Sequence, residues 1–293
     1  MKEKTKKKLR AKVFYKGSSL LLKGQGDVGV LFFHGWTSPP DELIDLGKHL
    51  NSFGYTFYAP LLTGHGTEPE DLMGVTADDW QADARRALLE IKKFSKKIFV
   101  GGISMGGDLA LLISGDPEVE GIILLGTPVK FPVHNLAKAG LYFMALAKTY
   151  RKKYYPPWIK KKRGDRPAYP YYPVENAKEV VKLADAARRF LPLVNKPTLI
   201  MQAKVDHMVS HKSPEIIYSR IKSEIKEIVW LKKVYHVFVY DKGVHEKISS
   251  FVRGIQNKEL YVPSEHKSGL NFRNIFFLVA SLVFGLFILA MTL

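Results

Sequence analysis

The segment Gly102-Ile103-Ser104-Met105-Gly106 is the feature that most constrains how this chain can fold. It follows the apolar run 98–100, which predicts a strand, and precedes the apolar run 109–113, which predicts a helix. A serine between two glycines at a strand-to-helix junction is typical of a sharp turn that lifts the serine hydroxyl clear of the backbone. A Cβ atom at either glycine would crowd the facing strand and helix. The pattern therefore predicts an α/β fold with Ser104 as a candidate nucleophile.

A serine hydroxyl is a weak nucleophile unless a base activates it and an acid orients that base. In folds with this kind of turn, the acid and then the histidine follow the serine along the chain. The apolar run 198–202 predicts a strand, and Asp206 follows it. The run 227–231 predicts the next strand, and His236 follows that one. Asp206 and His236 are therefore the candidate partners of Ser104.

A turn upstream of the serine is the candidate oxyanion hole. The apolar run 30–33 predicts a buried strand that leads into the turn His34-Gly35-Trp36-Thr37. An exposed backbone N–H in this turn could point at a substrate carbonyl. We expect the oxyanion to be bound by the backbone N–H groups of Trp36 and of Met105, the residue after the candidate nucleophile.

From about residue 13 to residue 255, the sequence resembles the α/β-hydrolases grouped around bacterial carboxylesterases and monoacylglycerol lipases. Six motifs carry the resemblance, at residues 31–37, 61–66, 76–80, 102–106, 202–206 and 235–241. It implies a mostly parallel central sheet with helices on both faces and a cap insertion over the nucleophile at about residues 130–190. It also implies that Ser104 is the nucleophile, Asp206 the acid and His236 the general base.

Two histidines compete for the role of the base. The family usually has Ser-Gly before this histidine, where this chain has Val234-Tyr235. His236 nevertheless follows the last predicted strand directly, on the edge where Ser104 and Asp206 are expected. His245 stands at the start of a predicted amphipathic helix, 246–252, and we expect it to be a solvated residue at the helix N-terminus. The sequence favours His236.

Cysteine and histidine usage gives no indication of a metal or an organic cofactor. The chain of 293 residues has no cysteine, which excludes disulfides, a thiolate nucleophile and a cysteine metal site. His207 and His211 have a helical i, i+4 spacing but no third candidate ligand, so we expect them on the surface. His34 and His65 lie in turns that they are expected to brace. A length of 293 residues is enough for one large α/β domain with an insertion.

The C-terminal segment 275–293 contains 19 residues without a charge. As a helix it would be roughly 28 Å long, close to the ~30 Å thickness of the hydrocarbon core of a bilayer. Because it is apolar all round, we expect a transmembrane tail anchor; a buried core helix or a dimerisation helix is the alternative. Lys267 and Arg273 precede it, which places the preceding domain on the cytoplasmic side. Residues 256–274 have the composition of a linker, and no secretion signal is expected at the N-terminus.

The net charge of +17 is concentrated in two places. Seven of the first twelve residues, a predicted basic tail, and nine residues of the stretch 148–166 are Lys or Arg. Anionic membrane lipids are the expected partner of these patches, solvated surface is the alternative, and no nucleic acid is expected. The cap also carries the aromatic and proline-rich stretches 154–158 and 169–173, which are typical either of a membrane–water interface or of an irregular lid.

Together these features predict a membrane-tethered serine hydrolase that faces the cytoplasm. It would cleave carboxylic esters of a lipid-like or monoacylglycerol type through an acyl-enzyme. A thioesterase or an aminopeptidase-like hydrolase would use the same triad. A catalytically degenerate scaffold at the membrane is the alternative that Tyr235, beside the candidate base, leaves open. Neither the acyl and alcohol groups of the substrate nor the oligomeric state follows from the sequence.

Overall fold

A computed structural model describes residues 17–131, 149–153, 167–232 and 234–257 of the chain. A seven-stranded sheet forms its centre, in the order β1-β3-β2-β4-β5-β8-β9. All neighbouring strands are parallel except β1 and β3. The strands of this sheet are β1 (Leu20–Leu22), β2 (Val28–Phe33), β3 (Thr56–Ala59), β4 (Lys97–Ile103), β5 (Val119–Leu125), β8 (Thr198–Ala203) and β9 (Lys226–Leu231). A separate antiparallel pair consists of β6 (Tyr150–Lys152) and β7 (Tyr171–Pro173).

Helices cover both faces of the sheet, as expected for parallel strands that are buried on both sides. The helices are α1 (Ile44–Asn51), α2 (Ala77–Ile91), α3 (Met105–Ile113), α4 (Val174–Phe190), α5 (Lys212–Arg220) and α6 (Lys242–Gln256). One apolar core joins one face of the sheet to α2, α3, α4 and α5, and the other core joins the opposite face to α1 and α6. The predicted α/β-hydrolase architecture, a mostly parallel sheet between helices, is thereby confirmed.

Local sequence explains where the elements that carry the site begin and end. Every residue of β2 is buried, in keeping with its uninterrupted apolar sequence. α2 is capped by Thr76, whose hydroxyl accepts a hydrogen bond from the Asp79 amide while the Asp79 carboxylate accepts one from the Thr76 amide. α6 is capped by Asp241, which accepts hydrogen bonds from the first amides of the helix.

Several predictions fall on residues that the structure does not describe. The basic tail 1–12, the apolar segment 275–293 and all but the first two residues of the predicted linker lie outside the described ranges, as do 132–148 and 154–166 of the cap. Within the described ranges, no helix is both long enough and apolar enough to cross a bilayer.

Candidate active site

Ser104 occupies a strained turn between β4 and α3. Its φ and ψ are 53° and −123°, a backbone conformation that a residue with a Cβ atom rarely adopts. A Cβ atom on Gly102 would lie 2.1 Å from the backbone carbonyl carbon of Gly106, and one on Gly106 would lie 2.2 Å from the carbonyl oxygen of Phe33. The two glycines therefore let β2, β4 and α3 approach one another closely around the serine, which confirms the reason given for them from the sequence.

The structure brings Ser104, His236 and Asp206 into one row of hydrogen bonds. His236 Nε2 lies 3.0 Å from Ser104 Oγ, and His236 Nδ1 lies 2.9 Å from Asp206 Oδ2. Because Asp206 is a carboxylate that only accepts hydrogen bonds, His236 must carry its proton on Nδ1, which leaves Nε2 free to accept one from the serine hydroxyl. This is the tautomer that a base for Ser104 requires.

Asp206 accepts hydrogen bonds from other groups besides His236. Its Oδ1 accepts hydrogen bonds from the amides of Met208, at 2.8 Å, and Val209, at 2.9 Å, and its Oδ2 accepts one from Gln202 Nε2 at 2.8 Å. Burial raises the pKa of this carboxyl, but His236 and the two amides outweigh burial, so the pKa lies below the usual range of an aspartate. Gln202 was not predicted. Its signal in the sequence is a polar residue near the end of an otherwise apolar strand.

His245 is not solvated, so that expectation was wrong. The residue is only 5% exposed, and its Nε2 donates a hydrogen bond to the carbonyl of Val239 at 2.6 Å. The reason is that α6 begins at Lys242 rather than at residue 246, which places His245 in the first turn on the inward face together with Ile248 and Val252. Its Nε2 is thus occupied by the Val239 carbonyl, whereas His236 Nε2 lies within hydrogen-bonding distance of Ser104 Oγ.

The remaining histidines have different surroundings. His34 and His65 are buried with their rings 4.9 Å apart, and His34 accepts a hydrogen bond from the Leu62 amide through Nε2. Burial lowers the pKa of His34 to about 4, so it is neutral at pH 7. His207 is exposed, and no group of three metal-ligating side chains occurs in the part of the chain that the structure describes.

The predicted oxyanion turn is held from inside the protein. The Gly35 amide donates to Oε1 of the buried Glu42 at 2.6 Å. Within the described ranges, the amides of Trp36 and Met105 donate no hydrogen bond outside regular helices and strands, and Met105 is the first residue of α3. Amides at a helix N-terminus have no partner within the helix. Their role as oxyanion donors stays a prediction. Sequence reasoning did not find Glu42.

The cap holds the same turn from outside. Trp36 Nε1 donates to Asn176 Oδ1 at 2.7 Å, and the Trp36 and Tyr172 rings lie 4.6 Å apart. The Thr37 carbonyl accepts a hydrogen bond from the Tyr169 amide at 2.8 Å. Lys153, one of the basic residues assigned to the membrane face, instead donates to the Thr37 hydroxyl. Tyr169 is buried, so this part of the aromatic stretch packs within the lid.

The fold, the strained serine turn and the hydrogen-bonded row define a serine hydrolase of the α/β-hydrolase class. The family model Hydrolase_4, serine aminopeptidase S33, matches residues 25–243, and the chain belongs to this family. A carboxylesterase of Bacillus subtilis (strain 168) is 28% identical over 233 residues, which are 78% of this chain and 93% of that protein. A thermostable monoacylglycerol lipase of Bacillus sp. (strain H-257) is 32% identical over 222 residues, 74% of this chain and 85% of that protein.

Solved structures agree with this assignment. A structure reported with LipS and LipT, two metagenome-derived lipolytic enzymes, has a TM-score of 0.75 and 32% identity, and the match covers 83% of this chain and 99% of that one. The monoacylglycerol lipase of Paleococcus ferrophilus shares the fold, with a TM-score of 0.68 and 13% identity over 81% of this chain and 98% of that one. The resemblance seen in the sequence is confirmed, and the chain is an ester-hydrolysing serine hydrolase.

Proposed function

We propose that this protein hydrolyses carboxylic esters of lipid-like alcohols, monoacylglycerols in particular, with Ser104 as the nucleophile. His236 is the general base, Asp206 orients it, and the amides of Trp36 and Met105 bind the oxyanion. The observation that carries the proposal is the continuous row from Ser104 Oγ through both ring nitrogens of His236 to Asp206 Oδ2, with distances of 3.0 and 2.9 Å.

The proposed reaction follows from these contacts. His236 Nε2 takes the hydroxyl proton as Ser104 Oγ attacks the ester carbonyl, and the carboxylate of Asp206 stabilises the imidazolium that forms. The negative oxygen of the tetrahedral intermediate accepts hydrogen bonds from the two amides. When the C–O bond to the alcohol breaks, His236 returns the proton to the leaving oxygen, and an acyl-enzyme remains. Water then attacks the acyl group with His236 as base, which releases the acid and regenerates Ser104.

The choice of a lipid-like ester rests on the relatives. The carboxylesterase and the monoacylglycerol lipase both cover more than two thirds of this chain. The serine aminopeptidase description of the family makes amides the substrates to compare with esters. A panel of monoacylglycerols, short-chain esters, thioesters and aminoacyl amides should give the highest kcat/KM with monoacylglycerols. A higher value with an amide or thioester would overturn the substrate class while leaving the triad intact.

The triad is tested by labelling with a fluorophosphonate, which reacts with activated serines. The wild-type protein should be labelled, and Ser104→Ala should lose both labelling and ester hydrolysis, with a fall in kcat of roughly 10⁴-fold or more. His236→Ala should lose a similar amount because triad members act as a unit. Ser250→Ala, which changes an exposed serine on α6, is the matched control. An active His236→Ala, or an unlabelled wild-type protein, would contradict the proposal.

We also propose that residues 275–293 anchor the enzyme in a membrane with the hydrolase domain in the cytoplasm. The support is the absence of charge over these residues and the position of Lys267 and Arg273 before them. The double substitution Val283→Lys and Leu286→Lys keeps the length of the segment but costs about 3 kcal/mol per lysine near the bilayer centre. It should move the protein from the membrane pellet to the supernatant when the membranes are washed with high salt, which screens the remaining contacts of basic residues with anionic lipid. The wild-type protein in the supernatant without detergent would exclude the anchor.

A further inference from the structure

Exposed apolar side chains collect on the two loops that carry Asp206 and His236. Val205, Met208 and Val237 are 44%, 49% and 37% exposed, although most large apolar side chains of the described residues are buried. Each of them lies within two residues of Asp206 or His236. Both loops follow strands of the central sheet at their carboxyl ends, β8 and β9, which are neighbours.

Hydrogen bonds hold the two loops that carry these side chains against one another. Asp206 and His236 bind one another across the two loops, and the Met208 amide donates to Asp206 Oδ1. The Lys204 amide donates to the carbonyl of Leu231, so the loops also leave the sheet side by side. We call the exposed residues Lys204, Val205, Met208, Lys232 and Val237 of these adjacent loops the triad rim.

The charge of the triad rim is positive. Residues 204–212 and 232–242 contain five lysines and two aspartates. Of the aspartates, Asp206 is held by His236, and Asp241 accepts hydrogen bonds from the first amides of α6. Lys204 and Lys232 are both exposed at the ends of adjacent strands. Apolar side chains flanked by lysines match a lipid surface with anionic headgroups, where the apolar groups reach the acyl boundary and the lysines meet phosphate.

We propose that the triad rim docks on an anionic bilayer and holds the mouth of the active site against the lipid. The proposal rests on the proposed hydrolysis of lipid-like esters, since such substrates reside in that bilayer.

The length of the chain after α6 is compatible with this orientation. α6 starts beside the triad loops and runs 15 residues, about 22 Å, away from them. Residues 257–274 follow, and a chain of 18 residues can span at most roughly 60 Å. An anchor that begins at residue 275 therefore allows the triad rim to face the membrane that holds it.

The absence of cysteine makes a direct test possible, because a single introduced cysteine can carry an environment-sensitive fluorophore. The full-length protein carries the label as Val205→Cys, Met208→Cys or Val237→Cys. Leu89→Cys and Leu193→Cys are matched controls, since both replace apolar side chains that are more exposed than those of the rim but lie elsewhere. Each protein is added to vesicles of phosphatidylcholine alone or of phosphatidylcholine with phosphatidylglycerol.

On phosphatidylglycerol vesicles, the three rim labels should shift to the blue and be quenched by nitroxides on the lipid chains, whereas the two control labels should not. Lys204→Glu combined with Lys232→Glu should abolish the shift while the protein still floats with the vesicles. Rim labels that keep their aqueous spectrum on protein that floats with these vesicles would overturn the proposal.

The failure of the proposed function has a different signature. Hydrolysis of a soluble short-chain ester by the wild-type protein does not require the rim to touch lipid. Hydrolysis without a spectral shift contradicts only the docking surface. A spectral shift without hydrolysis of any ester contradicts the proposed function and leaves the docking surface in place.

Discussion

Replacing Glu42 tests whether catalysis requires the oxyanion turn to be held from inside the protein. Glu42 is 3% exposed, and its Oε1 accepts the hydrogen bond of the Gly35 amide at 2.6 Å. Burial raises the pKa of this carboxyl, against the opposing effect of its hydrogen bonds to Gly35 and Ser38. The next amide along the chain is that of Trp36, the proposed oxyanion donor. A displacement of Gly35 therefore moves a group that has to point at the substrate.

The expected magnitudes follow from these contacts. Glu42→Ala leaves the buried Gly35 amide without an acceptor, which costs about 1–3 kcal/mol of folding free energy. If the Trp36 amide then loses its alignment, kcat should fall by about 10²–10³-fold, the effect of losing one oxyanion donor. The Glu42→Gln side chain has the same shape and keeps one oxygen that can accept a hydrogen bond. Because it preserves the hydrogen bond to Gly35, it should retain most of the activity.

The assay separates stability from catalysis. Urea unfolding gives the free energy of each variant, and titration with a fluorophosphonate gives the fraction of folded, reactive enzyme. kcat and KM for a soluble short-chain ester are then corrected for that fraction. We expect kcat to fall in Glu42→Ala with little change in KM. A Glu42→Ala enzyme that loses stability but keeps kcat would refute the argument, as would a Glu42→Gln enzyme as impaired as Glu42→Ala.

Three further predictions use the same structure. Gly102→Ala should prevent folding, because its Cβ would lie 2.1 Å from a backbone atom of Gly106. Gly74→Ala, at φ 77° with open space around it, should lower the free energy of unfolding by only about 1–2 kcal/mol in thermal unfolding. Equal losses of stability in the two variants would contradict this. Asn176→Ala should lower kcat more than it raises KM by freeing the Trp36 indole; Asn176→Asp keeps the acceptor for the indole but loses the donor to the Val75 carbonyl, so it should lower stability yet retain more of kcat than Asn176→Ala. Because the pKa of His34 is about 4 when folded and 6.5 otherwise, this residue should make the protein lose roughly 3 kcal/mol of stability as the pH falls between these values. Burial also lowers the pKa of His65, which acts in the same direction, so His34→Gln should reduce that dependence in urea unfolding without removing it.

The parts of the site that the sequence predicts are those marked by local patterns. The segment around Ser104 is a contiguous strand, turn and helix, and Gly102 and Gly106 are required by contacts with α3 and β2. Asp206 and His236 each follow a strand, and parallel strands bring their carboxyl ends to one edge of the sheet. Chain order and strand ends thus predict which residues meet without any knowledge of the tertiary structure.

The start of α6 was predicted wrongly although the sequence contains its signal. Asp241 is a residue type that prefers the N-cap, and it accepts hydrogen bonds from Gly243 and Val244. A helix that starts after Asp241 places His245 on the face of Ile248 and Val252, three and seven residues on. The burial of His245 follows from that register.

The contacts of the cap could not be predicted from local patterns. Trp36 and Asn176 are 140 residues apart in the chain, and no motif marks Asn176 in α4. Lys153 belongs to a basic stretch whose composition indicates a charged surface, yet it donates to Thr37 inside the protein. Such pairs depend on how the cap sits on the core, which neither periodicity nor residue type specifies.

The oxyanion turn is therefore the point where the core and the cap act on the same few atoms. Glu42 fixes Gly35 from the core, and Asn176 and Tyr169 fix Trp36 and Thr37 from the cap. If the cap only covered the site, it would control the access of substrate, and substitutions in the cap would change KM. If Trp36 donates the oxyanion amide as proposed, a cap bonded to Trp36 also affects the transition state, because the position of that amide is set from both sides. Changes in the position of the cap should accordingly appear in kcat.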